Sequence, residues 1–336
     1  MRLDRCRGHC SPKRGMARVP LVKQTSFLYK RLIIYYNKMA DTHEDIADCE
    51  YVTLEGLRLL CGAVYKNGAL SNQDAEVIYA DGGDILGFVR FADKKIRKNF
   101  ILVTGGTDIT VPLEALTKEQ TRRFLAHPFL VKWFAQNLLF VHEKTANWPL
   151  GFSFKLLREK SLVPVSALAQ ERKLKALAAA ARPFYERASE EGPLVFVNMT
   201  MRNGRLESRW DAFNALYLKD PSLLVDAEAV LAKLEANTET PRDDVWRSIA
   251  GAPFCLSPFG YGIDCHRNYE ILALGAIPII RGRILEDLFV GMPVLYVDRW
   301  EDVTRKLLQR TLKEFNEKKF DYSRLTVAYW RGRLRV

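Results

Sequence analysis

The stretch Leu256-Ser257-Pro258-Phe259-Gly260-Tyr261-Gly262-Ile263-Asp264-Cys265-His266-Arg267-Asn268-Tyr269-Glu270 decides the fold. Phe254 to Ser257 reads as a buried strand, Gly260 to Gly262 as a turn and Asp264 to Leu274 as a helix, with Gly275 suited to the C′ position. Strand, turn and helix in this order are the repeating unit of parallel sheets, which bind ligands beyond the carboxyl ends of their strands. Two glycines let the backbone approach a ligand and take positive φ. A helix start presents unpaired N–H groups and a partial positive charge, which suits phosphate. Arg267 offers forked, charge-assisted bonds to phosphate oxygens. Glu270 lies three residues after Arg267 and four after His266, so the three share one helical face. A carboxylate there can accept both hydroxyls of a ribose. Plainer readings stand beside these: an i,i+3 ion pair for Arg267 and Glu270, a structural role for His266, and a helix cap for Asp264.

Outward from this stretch, apolar runs alternate with helical ones. In the second half Leu194–Asn198, Ile277–Ile280 and Val294–Val297 read as strands, with helices through Tyr217 and over Ala227–Glu235. The polar loop Met201–Arg205 follows the first of these strands, so Arg202 and Arg209 are further phosphate candidates or plain solvated arginines. In the first half Glu76–Ala80 and Asn99–Thr104 read as strands, closed by Asp81-Gly82-Gly83-Asp84 and Gly105-Gly106-Thr107-Asp108. Phe88–Lys95, Thr121–Ala126 and Phe129–Trp133 read as helical, and Leu138–Val141 as another strand. Ser166–Glu190 is rich in strong helix formers, divided at Pro183 and broken at Glu190-Glu191-Gly192-Pro193. The alternation implies an α/β protein with parallel sheets and helices on both faces.

The 336 residues suit two domains. The expected division is a basic arm over 1–40, an N-terminal domain over 41–190 and a C-terminal domain over 191–336. The formal charge of +11 invites a nucleic-acid reading. Residues 1–38, however, hold ten basic side chains and one acid, Asp4, so nine of those charges sit in the arm and the body is nearly balanced. Six cysteines show no paired zinc spacing; Cys6, His9 and Cys10 lack a second ligand pair, so free thiols in a reducing compartment are expected. No run reaches the roughly 18–20 apolar residues of a membrane span. A cytoplasmic protein is therefore expected, or an organelle-targeted one, because the arm is Arg-rich and acid-poor.

The run from Phe254 to Asp302 resembles the C-terminal motif of exostosin-like glycosyltransferases. The matching residues are the Ser-Pro strand end, the Gly-x-Gly-x-Asp turn, Asp264-Cys265-His266-Arg267, Glu270, Leu274-Gly275-Ala276-Ile277-Pro278-Ile279, Pro293-Val294 and Val297-Asp298-Arg299-Trp300. A looser resemblance in the first half rests on Thr104–Asp108, Trp133-Phe134-Ala135-Gln136-Asn137, His142-Glu143-Lys144 and Pro149-Leu150-Gly151, with Gly105-Gly106 where Asn or Ser is commoner in the family.

The resemblance implies a GT-B arrangement, two Rossmann-like domains facing across a cleft. The second would bind a nucleotide-sugar, a UDP-sugar by analogy, through Gly260, Gly262, Asp264, His266, Arg267 and Glu270, with Arg202 and Arg209 as additions. The first would bind a glycan or other hydroxyl acceptor and supply a base. Asp108 is the first choice and Asp84 the second, both at strand ends where aspartate also simply closes turns. Gln136 and Asn137 would bond the acceptor, or cap a helix. Such enzymes usually invert and need no metal or cofactor, and the chain contains no Asp-x-Asp. Two rivals remain: an inactive nucleotide- or glycan-binding protein of the same fold, and a nucleic-acid-binding protein acting through the arm.

Overall fold

The computed structural model describes residues 45–154, 166–201, 204–236, 238 and 240–335. The basic arm over 1–40, with Cys6 and Cys10, and the loop residue Arg202 lie outside them. Asp45 to Val336 form one compact unit.

The first sheet is built from β1 (Ala63–Lys66), β2 (Ala69–Leu70), β3 (Val77–Asp81), β4 (Phe100–Gly105), β5 (Leu130–Ala135) and β6 (Thr145–Asn147). Its order is β2-β1-β3-β4-β5-β6, and all pairs but the β1–β2 hairpin are parallel. Each new strand joins the same edge. Right-handed crossovers then place both crossover helices, α2 (Ile85–Lys95) and α3 (Lys118–Leu125), on one face. Ile78, Ala80, Leu102 and Ala135 point there, into a core with Phe88 and Phe124. Tyr79, Ile101, Val103 and Phe134 point the other way. That second face is covered by chain ends: α1 (Leu54–Arg58) supplies Leu57, and the terminal helix α10 (Val327–Arg333) supplies Trp330. Trp330 packs edge-on to Trp148, and Val52 N–H donates to Leu325 O at 2.8 Å.

The second sheet holds β7 (Val195–Phe196), β8 (Phe254–Leu256), β9 (Ile277–Arg281) and β10 (Leu295–Val297), all parallel, in the order β10-β9-β8-β7. Leu224 makes a parallel bridge on the outer side of Val195. The chain thus steps outward from β7 through α5 (Arg209–Tyr217), then returns past β7 through α6 (Ala227–Ala236) and α7 (Arg242–Gly251) to β8. This reversal is a topological switch point, and it lies between β7 and β8, where open α/β sheets bind ligands. α5, α6 and α9 (Arg305–Asn316) cover one face; α7, α8 (His266–Ala273) and α4 (Ala167–Ala180) cover the other. The α/β fold expected from the alternating pattern is therefore present, as two parallel-rich sheets. Gly275, at φ +70°, closes α8: its N–H bonds Leu272 O and that of Ala276 bonds Ile271 O, the Schellman pattern.

Three local expectations are corrected. Phe129–Trp133 is not helical: Leu130–Ala135 form β5, a strand whose mostly apolar run a short helix would share. Leu138–Val141 is not a strand; Leu138 only bridges Val111, and Val141 is fully exposed. The long helix expected over Ser166–Glu190 stops at Ala180.

The two sheets meet at a seam of buried polar bonds. Asn137, at φ +53° and 2% exposed, donates from Nδ2 to Thr107 O and accepts at Oδ1 from the N–H groups of Ile263 and Asp264 at 2.9 and 3.0 Å. Asp264, 3% exposed, accepts at Oδ2 from Leu150 N–H at 2.9 Å and from the Tyr269 hydroxyl, and at Oδ1 from Cys265 N–H at 2.8 Å. Burial pushes its carboxyl up to about 6, against the pull of these donors.

Two outcomes follow for stability. Asn137→Ala orphans two buried N–H donors and a carbonyl, and should cost about 2–4 kcal/mol in denaturant unfolding. Asp264 holds its proton more tightly folded than unfolded, so its contribution is largest below the ordinary aspartate value of 3.8 and is lost as pH rises to about 6. The stability difference between wild type and Asp264→Asn should therefore shift by about 3 kcal/mol between about pH 4 and pH 7, measured by urea unfolding.

Candidate active site

The glycine turn after β8 is held from all sides. Gly260 N–H donates to Gly262 O, and the N–H groups of Ile263, Asp264 and Cys265 go to Asn137 and Asp264. Of the amides of Gly260–Asp264 expected to bind phosphate, those of Gly260, Ile263 and Asp264 are thus engaged within the fold. Gly262 is glycine because a Cβ there would meet the Asn137 side chain at 2.8 Å. Asp264 is likewise consumed by the seam and does not cap: Cys265 is the N-cap of α8 and adds no side-chain bond. The first N–H bond at this helix start runs from Asn268 to Cys265 O, and Ser257 Oγ donates to Asn268 Oδ1 at 2.6 Å, tying strand end to helix.

The arginines divide by role. Arg209, 5% exposed, donates from Nε to Phe259 O and from Nη1 to Thr200 O, joining the loops after β7 and β8. Its guanidinium is held down to about 10, first by burial and then by repulsion from Arg267. Arg205 crosses the seam, donating to Tyr261 O, to Asp108 O and to both oxygens of Glu114, whose carboxyl this pairing pulls below its ordinary range. Arg267 differs from both. Its Nη1 is buried without a hydrogen-bond partner among the described residues. It lines a narrow recess with Phe196, Asn198, Cys255 and Ile271, at the switch point between β7 and β8.

Glu270 follows one turn later. Burial raises its carboxyl above the ordinary range, opposed by Arg242, Trp246 and Arg267. His266 Nδ1 lies 2.7 Å from Gly151 O; a carbonyl only accepts, so this nitrogen carries the proton. Helix α8 thus brings Arg267 and Glu270 together as expected from their spacing, while His266 and Asp264 face the Leu150-Gly151 segment of the first half.

In that half, Asp108 is exposed and its carbonyl serves Arg205, whereas Asp84 turns over its own helix, with Oδ1 2.5 Å from where a Gly87 Cβ would stand. Gln136, 2% exposed, accepts from Gly106 N–H at 3.1 Å. Asn137 is a seam residue, so its expected place against an acceptor is corrected. Three groups escaped the sequence reading. Glu207, 5% exposed, accepts from Phe259 N–H and the Trp300 indole, both at 2.9 Å, and pairs with Arg281 at the end of β9. Asp81 ends β3 beside Gly105. Asn198 stands just past β7. Only the strand-end positions of Arg281, Asp81 and Asn198 could have signalled them; Glu207 lies in a loop with no pattern. Among the described residues no cluster of potential metal ligands occurs, the four cysteines are free, and no helix is long and apolar enough to cross a membrane.

No protein-family model matches the chain, and no curated protein matches it. Solved structures similar to it include Anabaena HepE in complex with UDP-glucose, at 11% identity over 78% of this chain and 75% of that one, and the same protein with UDP, at 14% over 78% and 74%. A trehalose-6-phosphate structure from E. coli bound with UDP-2-fluoro glucose is 12% identical over 77% and 68%. Each has a TM-score of 0.36, a likeness too distant to fix the role of any residue here.

Proposed function

We propose that the chain is a glycosyltransferase that takes a nucleotide-sugar, a UDP-sugar in the first instance, with the diphosphate at the start of α8 and the ribose at Glu270. The observation that carries this reading is the unpartnered, buried Nη1 of Arg267 beside a second buried arginine. Two guanidiniums that repel each other at a helix start, with no side-chain cap, form a site short of negative charge. A diphosphate supplies that charge, and Glu270 is one turn further along the same helix. The exostosin-like motif over Phe254–Asp302 supports the same assignment, and with it an inverting reaction on a hydroxyl acceptor that requires no metal.

In the reaction so read, Arg267 and the α8 dipole bind the departing diphosphate and stabilise the charge it gains. Arg209 holds the two strand-end loops in place and adds positive field. Arg205 and Glu114 fix the acceptor-side loop 106–117 against the donor turn.

Arg267→Ala should weaken UDP binding about 10–100-fold in isothermal titration, the worth of a charge-assisted hydrogen bond. Arg267→Lys should recover only part of this, since a point charge lacks the fork. Unchanged affinity in folded Arg267→Ala protein would overturn the donor site. Activity with UDP- or GDP-sugars should survive EDTA; retention of the nucleotide without any turnover would leave a binding protein of the same fold.

A further inference from the structure

We propose that Asp81 is the base that deprotonates the acceptor hydroxyl, its carboxyl seated over the bare backbone of Gly106. This rests on the nucleotide-sugar reading above and supplies its acceptor side.

Asp81 is the last residue of β3, at the carboxyl edge of the first sheet, in register with Gly105 of β4. Gly106 follows at φ +74°, a conformation side chains rarely adopt. A Cβ on Gly106 would come within 2.8 Å of Asp81 Oδ2 and 3.0 Å of the Tyr79 hydroxyl. A Cβ on Gly105 would meet Leu54 Cδ1 at 3.0 Å, Gln136 Oε1 at 3.2 Å and the Tyr79 hydroxyl at 3.4 Å. The two glycines therefore let the neighbouring side chains, the Asp81 carboxyl among them, close on bare backbone. Asp81 itself is exposed as a residue, so its carboxyl stands at the surface of this edge.

Asp81 is linked to the donor turn through one residue. Thr107 packs its methyl onto Gly82, next to Asp81, while its carbonyl accepts from Asn137, which holds Ile263 and Asp264. The other two aspartates do not share this position: the Asp108 backbone is engaged by Arg205, and the Asp84 carboxyl lies against Gly87, near the Tyr65 hydroxyl on the α2 face. The acidity of Asp81 agrees. Protein packed around its carboxyl pushes it up to about 6, with Asp84 adding repulsion and Gly83 N–H and Arg58 opposing. A base is most effective when its pKa lies near the working pH.

The step balances without another reactant. The acceptor O–H proton passes to an Asp81 oxygen as the acceptor oxygen bonds the anomeric carbon. The bond from that carbon to the diphosphate oxygen breaks, and its electron pair leaves with the diphosphate, held at Arg267.

The test uses the full chain and the UDP-sugar it turns over best. Asp81→Asn should lower kcat for transfer about 100–10,000-fold with UDP affinity unchanged within about twofold, and should remove the acid limb of the kcat/KM profile, which falls near pH 6 in the wild type. Asp108→Asn should change kcat by less than about threefold, and Asp81→Glu, which keeps a carboxyl, should restore part of the rate. Transfer by Asp81→Asn within about threefold of wild type, or an equal loss from Asp81→Asn and Asp108→Asn, would overturn the assignment. Failure of the donor reading shows separately, as UDP affinity insensitive to Arg267→Ala.

Discussion

The buried bonds of Asn137 and Asp264 hold this molecule in register, because they join the two sheets. Asp264 belongs to the turn after β8 but spends one oxygen on Leu150 N–H, from the first half. Asn137 belongs to the first half but satisfies two amides of the second. A buried polar group that loses its partner costs more than the bond is worth, so each half completes the other. Burial raises the carboxyl while four donors pull it back, and the donors offset part of the cost. Around this seam lie Arg205 with Glu114, and His266 with Gly151, less buried contacts that orient what the seam has brought together.

The same logic explains which arginine is left for a ligand. Arg209 and Arg205 have backbone carbonyls as partners, so their charge is delivered but their hydrogen bonds are taken. Arg267 has a buried nitrogen without a partner, next to Arg209 and at a helix start that favours anions. Leaving a guanidinium N–H dry and unpaired is costly in an empty protein, and that cost falls when an anion binds. Glu207 performs the complementary task, tethering the Pro258-Phe259 corner to Trp300 and Arg281.

Much of the second sheet was legible because its units are local. Phe254 to Gly275 encode strand, turn, helix and helix stop within one stretch, and the i,i+3 spacing of Arg267 and Glu270 survives in α8. The glycine turn was legible as a turn but not in purpose: Gly262 makes room for Asn137, a residue 125 positions earlier, which no local pattern shows. β5 was misread because a six-residue run of five apolar residues around Lys132 carries no period that separates a strand from a helix. The return of α10 to the first sheet was not legible either, since an apolar stripe on a helix does not say which sheet it covers.

Asp81 shows the limit most clearly. In sequence it opens Asp81-Gly82-Gly83-Asp84, where aspartate and glycine mean a turn, and Asp108 closes the next loop with the same signature. Position at a strand end cannot rank the three aspartates. Their neighbours do: Asp84 folds back over its own helix, the backbone of Asp108 is tied to Arg205, and Asp81 stands over the bare backbone of Gly106. The Gly-Gly pair, an oddity against the family pattern when read alone, gains a physical reason once β3 and β4 are set side by side. A side chain at 105 would press on Leu54 and Gln136, and one at 106 on the Asp81 carboxyl and the Tyr79 hydroxyl. The departure from the exostosin-like pattern and the placement of Asp81 are therefore one fact about the edge of the first sheet.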